Sequence, residues 1–90
     1  MVHMNLIVTG RVQGVGFRYF TRLAAKRLGV VGWVRNKPDG SVEIQAWADE
    51  ETFASFLAEI KRGPRFGRVD QIALTKLDLP ANYEEFDVTY

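Results

Sequence analysis

Gly10 to Phe20 reads GRVQGVGFRYF, and the order of the fold turns on this stretch. Up to it, Leu6, Val8, Gly10 and Val12 alternate with Ile7, Thr9 and Arg11, the two-residue period of a strand. Gly14 and Gly16 break that period. From Phe17 the apolar positions recur as on a helix, with Phe20, Leu23, Ala24 and Leu28 on one stripe and Arg18, Arg22 and Lys26 on another, until Gly29 supplies a C-terminal cap. The stretch is a strand-to-helix junction in which three glycines and two arginines fall within nine residues.

Downstream, Val30 to Asn36 reads as a second strand. Ser41 to Ala48 reads as a third, with Val42, Ile44, Ala46 and Ala48 alternating against Glu43, Gln45 and Trp47. The KPDG between them makes a hairpin, Pro38 fixing φ and Gly40 supplying a left-handed position. Asp49 is a good N-cap for a second helix, in which Phe53, Phe56, Leu57 and Ile60 form the apolar stripe. Glu50 and Glu51 suit its positive end, and Lys61 and Arg62 its negative end. Gly63 and Pro64 stop it. Val69 to Leu77 forms a fourth strand, DLPANY a turn, and Phe86, Val88 and Tyr90 a short last strand.

The order βαββαβ with a short additional C-terminal strand predicts a ferredoxin-like α/β sandwich, two helices on one face of a mostly antiparallel sheet. A right-handed crossover makes strands one and two parallel, and the hairpin inserts strand three between them. The glycine loop and Asn36 then lie at the same edge of the sheet, two strand spacings or roughly 10 Å apart. An arginine side chain spans that gap, so Arg18 and Asn36 can meet over one ligand.

Ninety residues make one domain, 1–90, whose composition, 47% apolar and 26% charged, is that of an ordinary globular protein. The absence of cysteine excludes a disulfide framework, thiolate metal ligation and a cysteine nucleophile. The N-terminal MVHMNLIVTG lacks the features of a signal sequence or a membrane span, which predicts a cytoplasmic protein. Twelve Lys and Arg against eleven Asp and Glu leave a charge of +1, so no global field draws the chain to nucleic acid or membrane. Any preference for anions is local, and the glycine loop is where it belongs.

Backbone N–H groups from Gln13, Gly14, Val15, Gly16 and Phe17, at the start of a helix, would form a nest for an anion. Arg18 adds a fork of donors that fits phosphate oxygens in pairs. Two familiar glycine motifs do not fit: no Lys-Ser or Lys-Thr follows the glycines, and Tyr19 stands where the dinucleotide pattern needs glycine. The plain alternative is a glycine turn that only enters the helix, with Arg18 a solvated charge.

No metal cluster is visible, and His3, the only histidine, reads as a bystander at a frayed terminus. Asp39 and Glu43 sit where carboxylates are usually solvated, and Thr9, Thr21 and Ser41 have no histidine to activate them. Such a site has little power over an ordinary phosphate ester. It suits an activated one, since an acyl phosphate has a carboxylate leaving group and needs only a positioned water and stabilised phosphoryl oxygens.

GRVQGVGFR, followed by GWVRNKPDGSVE, closely resembles the two signature stretches of the acylphosphatase family, and the likeness extends to the closing FDVTY. The resemblance implies a ferredoxin-like sandwich that hydrolyses acyl phosphates to carboxylate and inorganic phosphate without metal or cofactor. It implies Arg18 as the catalytic arginine, binding the phosphoryl group with the amides of Gln13 to Phe17. Asn36 is implied as the residue that orients the attacking water, with the substrate's phosphate accepting the water's proton. The segment RGPRFGRVD is richer in arginine than the family leads one to expect, which bears on loop contacts and not on chemistry.

Two other classes stand beside this one. The RNA-recognition fold shares the βαββαβ order, and Trp33 and Trp47 on the open sheet face offer a stacking platform or, alternatively, pack against long side chains there. Phe17 and Phe20, though, belong to a helical stripe that packs in the core. Acylphosphatase-like modules also occur within larger carbamoyl-transfer proteins, whereas the free-standing length here points to an independent enzyme. The expected partners are a small acyl phosphate and its phosphate product, with no nucleic acid or membrane, and the expected state is a monomer.

Overall fold

A computed structural model describes residues 1–78 and 83–89. Its elements run β1 (Val2–Arg11), α1 (Phe17–Leu28), β2 (Val31–Asn36), β3 (Val42–Ala48), α2 (Glu50–Arg62), β4 (Arg68–Leu77) and β5 (Phe86–Thr89). The five strands form one sheet in the order β4-β1-β3-β2-β5. β3 pairs antiparallel with both β1 and β2, β4 pairs antiparallel with β1, and β5 lies parallel to β2 at the outer edge. This is the ferredoxin-like α+β arrangement expected from the element order, with the extra strand added beside β2. Residues 79–82 of the expected DLPANY turn, and Tyr90 of the last strand, lie outside the described residues.

Alternation along the strands decides which face is buried. Leu6 and Val8 of β1, Val42, Ile44 and Ala46 of β3, Val34 of β2 and Phe86 of β5 all belong to the core. Phe17, Ala24 and Ala25 of α1 and Phe53, Phe56 and Ile60 of α2 complete it. The α2 signals act as read: Asp49 accepts the Thr52 N–H at 2.7 Å, with Glu50 and Glu51 in the first turn and Lys61 and Arg62 in the last.

The buried face of α1 is rotated from the expected stripe. Phe17, Thr21, Ala24 and Ala25 are its buried residues, whereas Leu23 is 47% exposed and Phe20 and Leu28 are half-buried. Thr21 explains the difference. Its hydroxyl donates to the Phe17 carbonyl at 2.9 Å, so it enters the core with its polar group satisfied, although it carries no apolar signal in the sequence. On the far side of the helix Arg27 pairs with Glu59 of α2, which Arg62 also meets at 2.8 Å.

His3 is not at a frayed end. It lies in β1, is 3% exposed, and stacks on Trp47 with ring centroids 3.6 Å apart and an interplanar angle of 15°. Its Nε2 lies 3.1 Å from Gln45 Oε1. The register places His3 directly opposite Trp47, and Tyr83 closes over the indole at 5.2 Å, leaving Trp47 4% exposed. Trp33 is half-buried beneath Arg35, 5.5 Å from the ring. The two tryptophans thus pack against side chains of the open sheet face, Trp47 fully and Trp33 in part, as the packing alternative requires.

Candidate active site

The register brings the glycine loop and Asn36 to one end of the sheet. Val42 faces Val8 of β1 on one side and Asn36 of β2 on the other, so Asn36 ends β2 level with the last third of β1. β1 then leads through the loop into α1. Gly14 at φ 73° and Gly16 at φ 77° turn the chain there, and a Cβ at either would meet open space. Backbone conformation, not crowding, is what calls for glycine at these two positions.

Gly16 is also the N-cap of α1. It offers no side-chain acceptor, and the first turn holds no acidic residue. The contrast with α2 is informative, since that helix meets its own N-terminal donors with Asp49. The positive end of α1 is left to whatever occupies the space in front of it.

That space is a cleft of about 350 Å³. The loop lines it with Val12, Gly14 and Gly16, α1 with Phe17, Arg18, Tyr19 and Arg22, and the strand ends with Asn36 and Val88. Two guanidinium groups and a helix N-terminus therefore border a space that no described carboxylate side chain lines. Arg18 Nη1 donates to the Thr89 carbonyl at 3.4 Å, which ties the arginine to β5. Thr89 Oγ1 lies 3.4 Å from the Val34 carbonyl, linking the same strand end to β2. Asn36 Oδ1 is buried and meets no hydrogen-bond donor among the described residues.

Of the residues singled out in the sequence, Gly14, Gly16, Phe17, Arg18 and Asn36 come together around this cleft. The side chains of Gln13 and Val15 do not line it. Val15 packs against the core, and the side chain of Gln13 turns away to the β2–β3 hairpin, where Nε2 donates to the carbonyls of Lys37 and Ser41, each at 2.8 Å. The hairpin is braced from within by Asp39, whose carboxylate accepts from Ser41 Oγ at 2.6 Å and Ser41 N at 2.9 Å. These bonds, the side-chain one first, hold its pKa below the ordinary value. Sequence reasoning missed the anchoring role of Gln13 and the presence of Tyr19 and Val88 in the cleft. Arg22 was legible only as a basic helix position four residues from Arg18, and that spacing was the available signal.

Among the described residues no group of three or more His, Asp or Glu side chains converges to hold a metal ion, and no helix is long and apolar enough to cross a membrane. The arginines of the RGPRFGRVD segment stand apart from the cleft. Arg62 pairs with Glu59, Arg68 pairs with Asp70 at 2.7 Å, and Arg65 lies over the exposed Phe66.

Fold and cleft together define a two-helix, five-stranded ferredoxin-like domain with a basic cleft at the start of its first helix. The comparisons place that domain more narrowly. A family model described as Acylphosphatase matches residues 4–88. An acylphosphatase of Archaeoglobus fulgidus is 46% identical over 90 residues, 100% of each chain, and one of Oceanobacillus iheyensis is 44% identical over 91 residues, again 100% of each. The crystal structure of acylphosphatase from Bacillus subtilis superposes with a TM-score of 0.96 at 40% identity, covering 100% of both chains. The chain belongs to the acylphosphatase family, a family of enzymes.

Proposed function

We propose that this protein hydrolyses acyl phosphates to a carboxylate and inorganic phosphate, and that Arg18 and Asn36 are its catalytic residues. The observation that carries this reading is the sharing of one cleft by the glycine loop, Arg18 and Asn36. The phosphoryl group sits before the start of α1, where the backbone N–H groups of Gln13 to Phe17 and the guanidinium of Arg18 meet its oxygens. These donors gain most as charge shifts among the phosphoryl oxygens in the transition state, which is where binding energy accelerates the step.

Asn36 positions the nucleophile. Asn36 lines the cleft, and its side-chain amide offers hydrogen-bonding capacity to a water held there beside the phosphoryl group. The water's oxygen forms a bond to phosphorus as the bond from phosphorus to the carboxyl oxygen breaks. The carboxylate leaves with the electron pair, and a phosphoryl oxygen takes the water's proton. No side chain has to act as base, which suits a cleft lined by arginines and an amide.

The test is hydrolysis of benzoyl phosphate by the purified protein, with and without a chelator, and its inhibition by inorganic phosphate. Turnover that survives chelation and is competitively inhibited by phosphate is the expected result. A folded protein with no turnover on benzoyl or acetyl phosphate overturns the reading.

A further inference from the structure

We infer that Arg22 is a specificity-determining residue that binds a free carboxylate on the acyl portion of the substrate, so that monoacyl phosphates of dicarboxylic acids are favoured over those with uncharged acyl groups. The inference rests on the acyl phosphate reading above. Arg22 lines the same cleft as Arg18 and Asn36, four residues further along α1. Four residues carry it about 6 Å along the axis on the same helix face, away from the loop that would hold the phosphate.

Arg22 is not an ordinary solvated charge. It is half-buried, while Lys26 and Arg27 further along the helix are exposed. Arg27, Arg35, Arg62 and Arg68 each meet a carboxylate. Arg22 meets none among the described residues. A partly desolvated guanidinium one turn from another carries both desolvation and like-charge costs, and a bound anion offsets them. A phosphoryl group at the loop neutralises Arg18 and leaves Arg22 for a second anion.

The cleft wall fits the rest of such a substrate. Val88 of β5 and Tyr19 of α1, 61% exposed, line the cleft with the two arginines and give a short methylene chain apolar surface to follow. At its far end one planar fork matches two carboxylate oxygens, whereas the nest of backbone donors that suits a phosphate lies only at the loop end.

The experiment compares kcat/KM for succinyl phosphate and for isocaproyl phosphate, which has the same shape with two methyl groups in place of the carboxylate oxygens. It is run on the wild type, Arg22→Met, Arg22→Lys and Lys26→Met. The wild type is expected to favour succinyl phosphate. Arg22→Met lowers that preference about tenfold through a higher KM for succinyl phosphate, Arg22→Lys restores part of it, and Lys26→Met leaves it in place. If both substrates turn over and Arg22→Met shifts the preference by less than about twofold, the specificity role is wrong and the acyl phosphate reading stands. An equal loss in Lys26→Met also overturns it, since the effect then belongs to the general charge of the helix. If the folded wild type hydrolyses neither substrate, the acyl phosphate reading falls and this inference with it.

Discussion

Gln13 and Ser41, far apart in the chain, meet through a 2.8 Å hydrogen bond from the Gln13 side-chain amide to the Ser41 carbonyl, and the same nitrogen reaches the Lys37 carbonyl. The glycine loop is thereby tied to the hairpin that follows Asn36. To the sheet register that aligns the two parts of the cleft, this side chain adds a direct tie between the loop and the hairpin. Asp39 completes the brace by pinning Ser41 from the other side.

Gln13→Ala removes two side-chain hydrogen bonds, although each carbonyl keeps a backbone donor, Gly40 N–H at Lys37 and Lys37 N–H at Ser41. Stability should fall by about 1–2 kcal/mol. Turnover should fall further than the small loss of folded protein explains, because the loop then drifts relative to Asn36. Chemical denaturation and kcat/KM on benzoyl phosphate, measured on the same preparation, separate the two effects. Unchanged kcat/KM would show that the tether does not set the geometry of the cleft.

Gly16→Ala and Gly32→Ala should differ sharply although both glycines have positive φ. At Gly16 the added Cβ meets nothing within 4 Å, so the cost is the left-handed conformation alone, about 1–2 kcal/mol. At Gly32, φ 142°, the Cβ would fall 1.9 Å from the Gln45 backbone carbonyl oxygen on the paired strand. That clash cannot relax without parting β2 from β3, and a loss of more than about 4 kcal/mol is expected. Urea midpoints decide this, and equal losses would contradict it.

Arg18→Lys and Asn36→Ala should fail in different ways. A lysine keeps the charge but loses the paired donors, so phosphate inhibition weakens and turnover drops by about a hundredfold or more. Asn36→Ala retains phosphate inhibition, loses turnover to a similar extent, and does not lower the melting temperature, because it removes a buried oxygen that meets no donor among the described residues. A melting temperature that falls together with activity in Asn36→Ala would mark a structural residue instead.

Asp39 and Asp49 give the fold a defined acid sensitivity. Hydrogen bonds from Ser41 hold the Asp39 carboxyl below its ordinary pKa, and those from Thr52 do the same for Asp49. A lowered folded value means that stabilisation is full above the unfolded value, near pH 4, and is lost as the pH falls through the folded one. Asp39→Asn and Asp49→Asn keep an acceptor but remove the titration. Each should flatten the fall in melting temperature below about pH 4 while changing it little at pH 7. A steeper fall in either variant would reverse the assigned sign.

Much of this protein was legible in the chain because the signals are local. Period two up to the glycines, period 3.6 after them, the KPDG turn and the Asp49 cap each depend on neighbouring residues, and their order leaves one sheet topology that obeys right-handed crossover. The topology in turn put Arg18 and Asn36 at the same edge, so the pairing of loop and strand end was readable before any coordinates. The rest depends on contacts between residues distant in sequence, which no local period records. Thr21 takes a core position by bonding its hydroxyl to its own helix. His3 is buried because strand register sets it against Trp47, the side chain of Gln13 holds the hairpin, and Arg22 stands half-buried in the cleft with no carboxylate partner among the described residues. Sequence alone determined the elements, their order and the chemical character of the loop, since these follow from backbone preference and apolar spacing. Tertiary structure decided which side chains meet, because register and helix rotation are settled only when the two faces pack together.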